Sequence, residues 1–140
     1  MDKSARFAKL AAAWALLIFG LSSIPGASFP ASKLFSYDKL LHAGVYSVLG
    51  GLCFLALRRS SSQKSSVLVL AATALSTLYG MTDEFHQSFV PGRSPDVRDV
   101  LADCVGGFVG ALAVSALFAA RGEVAADKAD RPTAKSKSAS

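Results

Sequence analysis

The chain has 140 residues, enough for one domain, and 51% of them are hydrophobic while only 18% are charged. Its mean hydropathy of +0.39 is typical of a membrane protein and argues against a soluble fold. The net charge is +5. The basic residues flank apolar stretches and no groove-reading motif accompanies them, so nucleic-acid binding is not expected.

Four apolar stretches, each close to the roughly 20 residues that cross a bilayer, predict an all-α polytopic membrane protein, a bundle of four transmembrane helices. The predicted helices cover about residues 7–24, 40–57, 67–86 and 99–120, in a membrane domain of residues 1–120. Residues 121–140 are rich in Ala, Lys, Asp and Ser without an apolar period, which predicts a disordered cytoplasmic tail. A signal peptide is an alternative interpretation of the first stretch, but three further stretches follow it.

The distribution of basic residues predicts the orientation in the membrane. Cytoplasmic loops carry an excess of Lys and Arg, so the side with more of them is placed inside. With both termini in the cytoplasm, that side holds Lys3, Arg6, Lys9, Arg58, Arg59, Lys64, Arg121, Lys128, Arg131, Lys135 and Lys137. The opposite side holds Lys33, Lys39, Arg93 and Arg98. We expect a multi-pass protein of the bacterial cytoplasmic membrane.

Four polar clusters interrupt this apolar chain at the ends of its hydrophobic stretches. They are Asp38-Lys39-x-x-His42, Asp83-Glu84-x-His86-Gln87, Pro91-Gly92-Arg93 and Asp99-x-x-x-Asp103. The predicted topology places all four at the outer leaflet. Ionisable groups at membrane depth are costly unless they meet partners or water, so these residues are functional candidates.

Helical spacing predicts which polar side chains share a face. The first stripe holds Asp38, His42 and Tyr46, and the second holds Tyr79, Asp83, His86 and Gln87. Glu84 is expected to point about 100° away from the second stripe. The third stripe holds Asp99, Asp103, Gly106 and Gly110. Its small residues at a spacing of four predict a close helix–helix approach that draws the two aspartates into the bundle.

The residue types in these clusters suit two kinds of chemistry. Carboxylates beside histidines suit acid–base catalysis, and the candidates are Asp38, His42, Asp83, Glu84, His86 and Asp99. The candidate ligand-binding residues are Lys39, Gln87, Arg93 and Asp103, of which Lys39 and Arg93 suit a phosphate. A divalent metal held by Asp83, Glu84, His86 and Asp103 is an alternative. Because no diagnostic metal spacing is present, the metal and any cofactor stay undetermined.

Structural roles compete with these functional ones. Asp38 suits a helix N-cap and Asp99 a first-turn acid that favours the helix dipole. The long Lys39 side chain could extend its ammonium to the lipid headgroups. Arg93 is a candidate for a loop ion pair with Asp96 or Asp99. The two histidines would then be hydrogen-bonded core groups.

Two segments resemble the VanZ-like family of small bacterial membrane proteins, named after a member that contributes to resistance against the glycopeptide teicoplanin. They are DKLLHAGVYSVLGG at 38–51 and TDEFHQSFVPGRSPDVRDVLADCVGGFVGA at 82–111. The family pattern coincides with Asp38, Lys39, His42, Glu84, Gln87, Arg93, Asp99, Gly106 and Gly110. Many members carry Asn where this chain has Asp103. The resemblance covers roughly residues 7–118 and implies location and context, not a reaction.

The sequence therefore leaves two main hypotheses for the function. One is an outward-facing polar pocket that binds or processes a phosphate-bearing envelope lipid. The other is a non-enzymatic membrane protein that modulates the cell envelope or glycopeptide susceptibility. A transporter is the third choice, because four helices leave little room for alternating access unless the chain forms a homo-oligomer, which the sequence leaves open. Membrane lipids are the expected partners.

Overall fold

The computed structural model describes residues 3–26 and 38–130, with side chains described for residues 4–26 and 39–121. These residues form four helices and no strand. The helices are α1 (Lys3–Ser22), α2 (Asp38–Ser60), α3 (Ser65–Gln87) and α4 (Val97–Asp130). The all-α prediction is confirmed, and each helix extends beyond its predicted bounds on at least one side.

Each helix contains a segment long and apolar enough to cross a membrane. These segments are Ser4–Ser22, Lys39–Ser60, Ser65–Gln87 and Val97–Arg121. Large apolar side chains are exposed around the bundle, among them Leu16, Leu70, Phe85, Leu101 and Leu117. An apolar surface of this extent is unfavourable in water and suits contact with lipid. The chain is a multi-pass membrane protein.

Helix α4 continues well beyond its membrane span. It reaches Asp130, so residues 121–130 are helical where the sequence predicted the start of a disordered tail. That part of the chain contains Ala and Glu, which favour helix, and no Pro. The predicted disorder of 131–140 falls outside the described residues.

Helices α2 and α4 approach one another closely enough for their backbones to touch. A Cβ atom on Gly106 would overlap the backbone of Ala43, and one on Gly110 would overlap the backbone of Ser47. The reciprocal contact is made by Gly50, which lies against the backbone of Gly107. Small residues permit this approach, as their spacing predicts.

Helices α1 and α3 complete the bundle. Phe54, Leu68 and Ala72 are fully or almost fully buried in one apolar cluster between α2, α3 and α4. Helix α1 packs on α2, and Trp14 Nε1 donates a hydrogen bond to the Val45 carbonyl at 2.9 Å. The C-terminal ends of α1 and α3 lie beside the N-terminal ends of α2 and α4, as hydrogen bonds of Ser22 with Asp83, Lys39 with Asp99 and Glu84 with Asp96 show. We call this end of the bundle the polar end, because the four clusters collect there.

Candidate functional site

Lys39 joins the start of α2 to the start of α4. Its ammonium donates hydrogen bonds to Asp96 Oδ2, at 2.9 Å, and to Asp99 Oδ1. Asp99 is buried, whereas the side chains of Lys39 and Asp96 are 42% and 41% exposed. The Lys39 hydrogen bond, followed by one from the Arg98 backbone N–H, lowers the pKa of the Asp96 carboxyl below its ordinary value. Lys39 is therefore a positioned cation at the rim of the polar end.

The partly buried His42 and the fully buried Asp103 form a pair one turn deeper. The His42 Nδ1 and Asp103 Oδ1 atoms are 3.0 Å apart, and Asp103 is 0% exposed. The His42 ring stacks on Tyr46, with centroids 6.2 Å apart. Gly80 on α3 makes room for the carboxylate, because a Cβ there would overlap it. A histidine held by a carboxylate is a common acid–base arrangement.

Two polar atoms, one within this pair and one next to it, lack hydrogen-bond partners within the described part of the chain. They are Asp103 Oδ2 and the Tyr46 hydroxyl oxygen, and both are buried. Buried polar atoms of this kind carry a desolvation penalty that a water, a proton or a ligand would relieve.

Glu84 also points into the bundle, although its position on α3 is about 100° around the helix from that of Asp83, as its spacing predicts. It is 5% exposed, and its Oε2 accepts a hydrogen bond from the Asp96 backbone N–H at 2.8 Å. Gln87 Nε2 donates to Glu84 Oε1 at 3.3 Å and to Asp83 Oδ2 at 3.0 Å. Helix α3 has neighbours on several sides, so polar residues about 100° apart around it are both buried.

Asp83 and His86 face α1. Ser22 Oγ donates to Asp83 Oδ1 at 2.5 Å, and Ser23 Oγ lies 3.0 Å from His86 Nε2. The Phe19 ring covers His86, with centroids 4.3 Å apart. Sequence reasoning missed both serines, although two polar residues at the end of the apolar stretch of α1 were a usable signal.

Arg93 lies in the connection between α3 and α4. Its Nε donates a hydrogen bond to the Ile24 carbonyl at 3.3 Å, and the neighbouring Pro91 carbonyl accepts one from Gly26 N–H at 3.0 Å. Asp96 and Asp99 each form an ion pair with Lys39, whereas the sequence offered Arg93 as a partner for one of them. The Asp38 side chain lies outside the described residues.

The potential metal ligands that gather at the polar end differ from the predicted set. Within the described residues, His42, Glu84 and Asp99 each offer an atom, and these atoms lie within 4.8 Å of one another. The predicted alternative of Asp83, Glu84, His86 and Asp103 shares only Glu84 with this group. The difference arises because Asp83 and His86 are engaged by α1 and Asp103 by His42.

Comparison with models of known protein families identifies the family of this chain. The model of the VanZ/LLP1 family matches residues 7–119. The chain belongs to the VanZ/LLP1 family. The match covers the second and third spans, most of the first and fourth, and every described side chain of the polar end, and it confirms the family resemblance of the two motif segments. No curated protein and no solved structure matches this VanZ/LLP1 chain.

Proposed function

We propose that this VanZ/LLP1 protein binds a phosphate-bearing envelope lipid at its polar end, on the side of the membrane away from the cytoplasm. The proposal concerns binding, with the His42–Asp103 pair as the group that would move a proton if a reaction follows. The polar end lies at the ends of the membrane spans, which supports a lipid as the ligand. The headgroup of a lipid would reach the polar end while its acyl chains stay in the bilayer.

The observation that carries the proposal is the position of Lys39. Its ammonium is held in place by Asp96 and Asp99 and still keeps 42% of its side chain exposed. A cation that is already oriented loses little entropy when it meets an anion, which favours binding. Arg93 supplies a guanidinium in the neighbouring connection, and guanidinium groups suit phosphate through paired donors.

The opposite end of the bundle supports the orientation. Arg58 and Arg59 close α2, and Lys64 precedes α3 in the short connection that follows. Concentration of Lys and Arg in such short connections is the usual mark of the cytoplasmic side. The polar end then faces outward.

A non-enzymatic modulator of the envelope is the second candidate, and one observation favours it. Glu84 accepts hydrogen bonds from Asp96 N–H and Gln87, so it stabilises the start of α4 without any ligand. On this account the polar contacts hold the helices together, and the exposed apolar surface contacts a larger complex.

A pair of lipids that differ only in phosphate separates the two candidates. Binding of phosphatidic acid and of diacylglycerol with the same acyl chains would be measured on the purified chain in nanodiscs. We expect clear preference for phosphatidic acid. Lys39→Met should weaken it by about 1.5–3 kcal/mol, or roughly ten- to a hundredfold, as for other charge-assisted hydrogen bonds.

Arg121→Met, which removes an exposed cation at the far end of the α4 span, is the matched control and should retain the preference. Excess inorganic phosphate should displace phosphatidic acid weakly if the acyl chains contribute. Equal affinity of the wild-type chain for the two lipids would contradict phosphate recognition and favour the modulator.

A further inference from the structure

We infer that His42, Glu84 and Asp99 form a site for one divalent transition-metal ion. The three residues come from α2, α3 and α4, and their ligand atoms lie within 4.8 Å of one another. Nothing in their sequence spacing brings them together, since each belongs to a different polar cluster. Their proximity is produced by the packing of the three helices.

Each of the three residues is oriented by a further polar group. Asp103 Oδ1 is 3.0 Å from His42 Nδ1, and a carboxylate on one nitrogen of a metal-binding histidine is the usual way that its ring is positioned. Glu84 is held by Gln87 and by the Asp96 N–H. Lys39 holds Asp99 through Oδ1. Pre-oriented ligands of this kind are characteristic of metal sites.

The charge of the buried groups points to a cation independently of these distances. Glu84, Asp99 and Asp103 place three carboxylates in the interior, each no more than 5% exposed. Lys39 pairs with Asp99, and His42 is next to Asp103. Asp103 Oδ2 is one of the two buried atoms without a hydrogen-bond partner in the described residues. A divalent ion would offset this negative charge, whose burial is otherwise costly.

The donor set selects the class of metal. One imidazole nitrogen with two carboxylates suits Zn²⁺ or Mn²⁺, whereas Mg²⁺ and Ca²⁺ prefer oxygen ligands throughout. With three protein ligands, an open coordination position would remain. A phosphate oxygen of the lipid would occupy this open position. That part of the inference rests on the proposed function.

The direct test measures binding of the metal alone. The purified full-length chain in detergent is freed of metal with a chelator and titrated with Mn²⁺. Binding is measured as the loss of the electron paramagnetic resonance signal of free Mn²⁺. We expect one Mn²⁺ per chain, displaced by Zn²⁺ but not by equal concentrations of Mg²⁺ or Ca²⁺. Glu84→Gln should weaken binding by tenfold or more, and Asp103→Asn by about tenfold, as for other residues that orient metal ligands.

Glu123→Gln makes the same chemical change on α4 beyond the membrane span and should leave Mn²⁺ binding unchanged. Because a variant of a buried residue can fail to fold, a second measurement uses the wild-type chain. Electron spin echo modulation of its bound Mn²⁺ should show coupling to one imidazole nitrogen. Absence of stoichiometric binding, absence of that coupling, or displacement by Mg²⁺ or Ca²⁺ would each overturn the site.

Repeating the lipid comparison with and without chelator separates this inference from the proposed function. We expect the preference for phosphatidic acid to weaken when metal is removed. A preference that the chelator leaves intact would overturn the role of the metal and keep the proposed function. Mn²⁺ binding with no preference for phosphatidic acid would keep the metal site and contradict the proposed function.

Discussion

Asp103 on α4 and His42 on α2 meet at 3.0 Å between Oδ1 and Nδ1, with the carboxylate completely buried. The contact joins two helices that pack backbone against backbone, since Gly106, one turn further along α4, lies against the backbone of Ala43. The pair therefore connects the packing of the bundle to the polar end.

Replacement of Asp103 should show what this contact contributes to stability. Asp103→Ala removes the acceptor and leaves His42 without this partner, so we expect the free energy of unfolding to fall by about 1–3 kcal/mol. Asp103→Asn keeps an oxygen acceptor and removes a buried charge, so its effect should be smaller. Thermal unfolding of the purified variants in detergent measures both. Equal destabilisation by the two substitutions would contradict a hydrogen-bonding role.

The glycines of α4 should be sensitive to a single added methyl group. Gly106→Ala places a Cβ against the Ala43 backbone, which cannot move as a side-chain tip can, so we expect a loss of about 1–3 kcal/mol in unfolding free energy. Gly44→Ala is the matched control, because a Cβ there has no heavy atom within 4 Å in the described residues. It should be neutral or stabilising, since Ala favours helix over Gly. Similar thermal unfolding of both variants would argue against the close packing.

The four-helix fold could be predicted from the sequence, because each membrane span is a long apolar stretch and hydropathy is a local property of the chain. It could not predict which faces of the helices meet. Spacing by i and i+4 places Asp83 and Gln87 on one side of α3 but does not give the rotation of α3 against its neighbours. For that reason the sequence did not show that Asp83 and Glu84, about 100° apart around α3, would both be buried. Ser22 was overlooked because its contact with Asp83 spans 61 residues of chain.

The pKa of Asp96 should depend on Lys39. The ammonium stabilises the ionised carboxylate, so the ion pair contributes stability that is fully present above the ordinary aspartate pKa of 3.8 and is lost as the pH falls through the lowered value. In Lys39→Met the pKa of Asp96 should rise toward its ordinary value, although the Arg98 N–H still donates to it. Carboxyl carbon chemical shifts measured against pH report this. An unchanged titration would show that the pair does not persist.

Accessibility of two serines tests the orientation of the bundle. Ser94, between α3 and α4, and Ser62, between α2 and α3, are both exposed and lie at opposite ends. In a background lacking Cys53 and Cys104, Ser94→Cys should react with an impermeant maleimide in intact cells. Ser62→Cys should react only after the membrane is permeabilised. The reverse pattern would place the polar end in the cytoplasm.

Native mass spectrometry of the chain purified from its own membrane tests phosphate-lipid binding most directly. We expect the wild-type chain to retain a lipid whose fragments include a phosphate group. Arg93→Lys should lose it nearly as completely as Arg93→Ala, because an ammonium cannot reproduce the planar pair of guanidinium donors. Arg121→Lys should retain it. A wild-type chain without a phosphate-bearing lipid, or full retention by Arg93→Lys and Arg93→Ala, would contradict the proposed function.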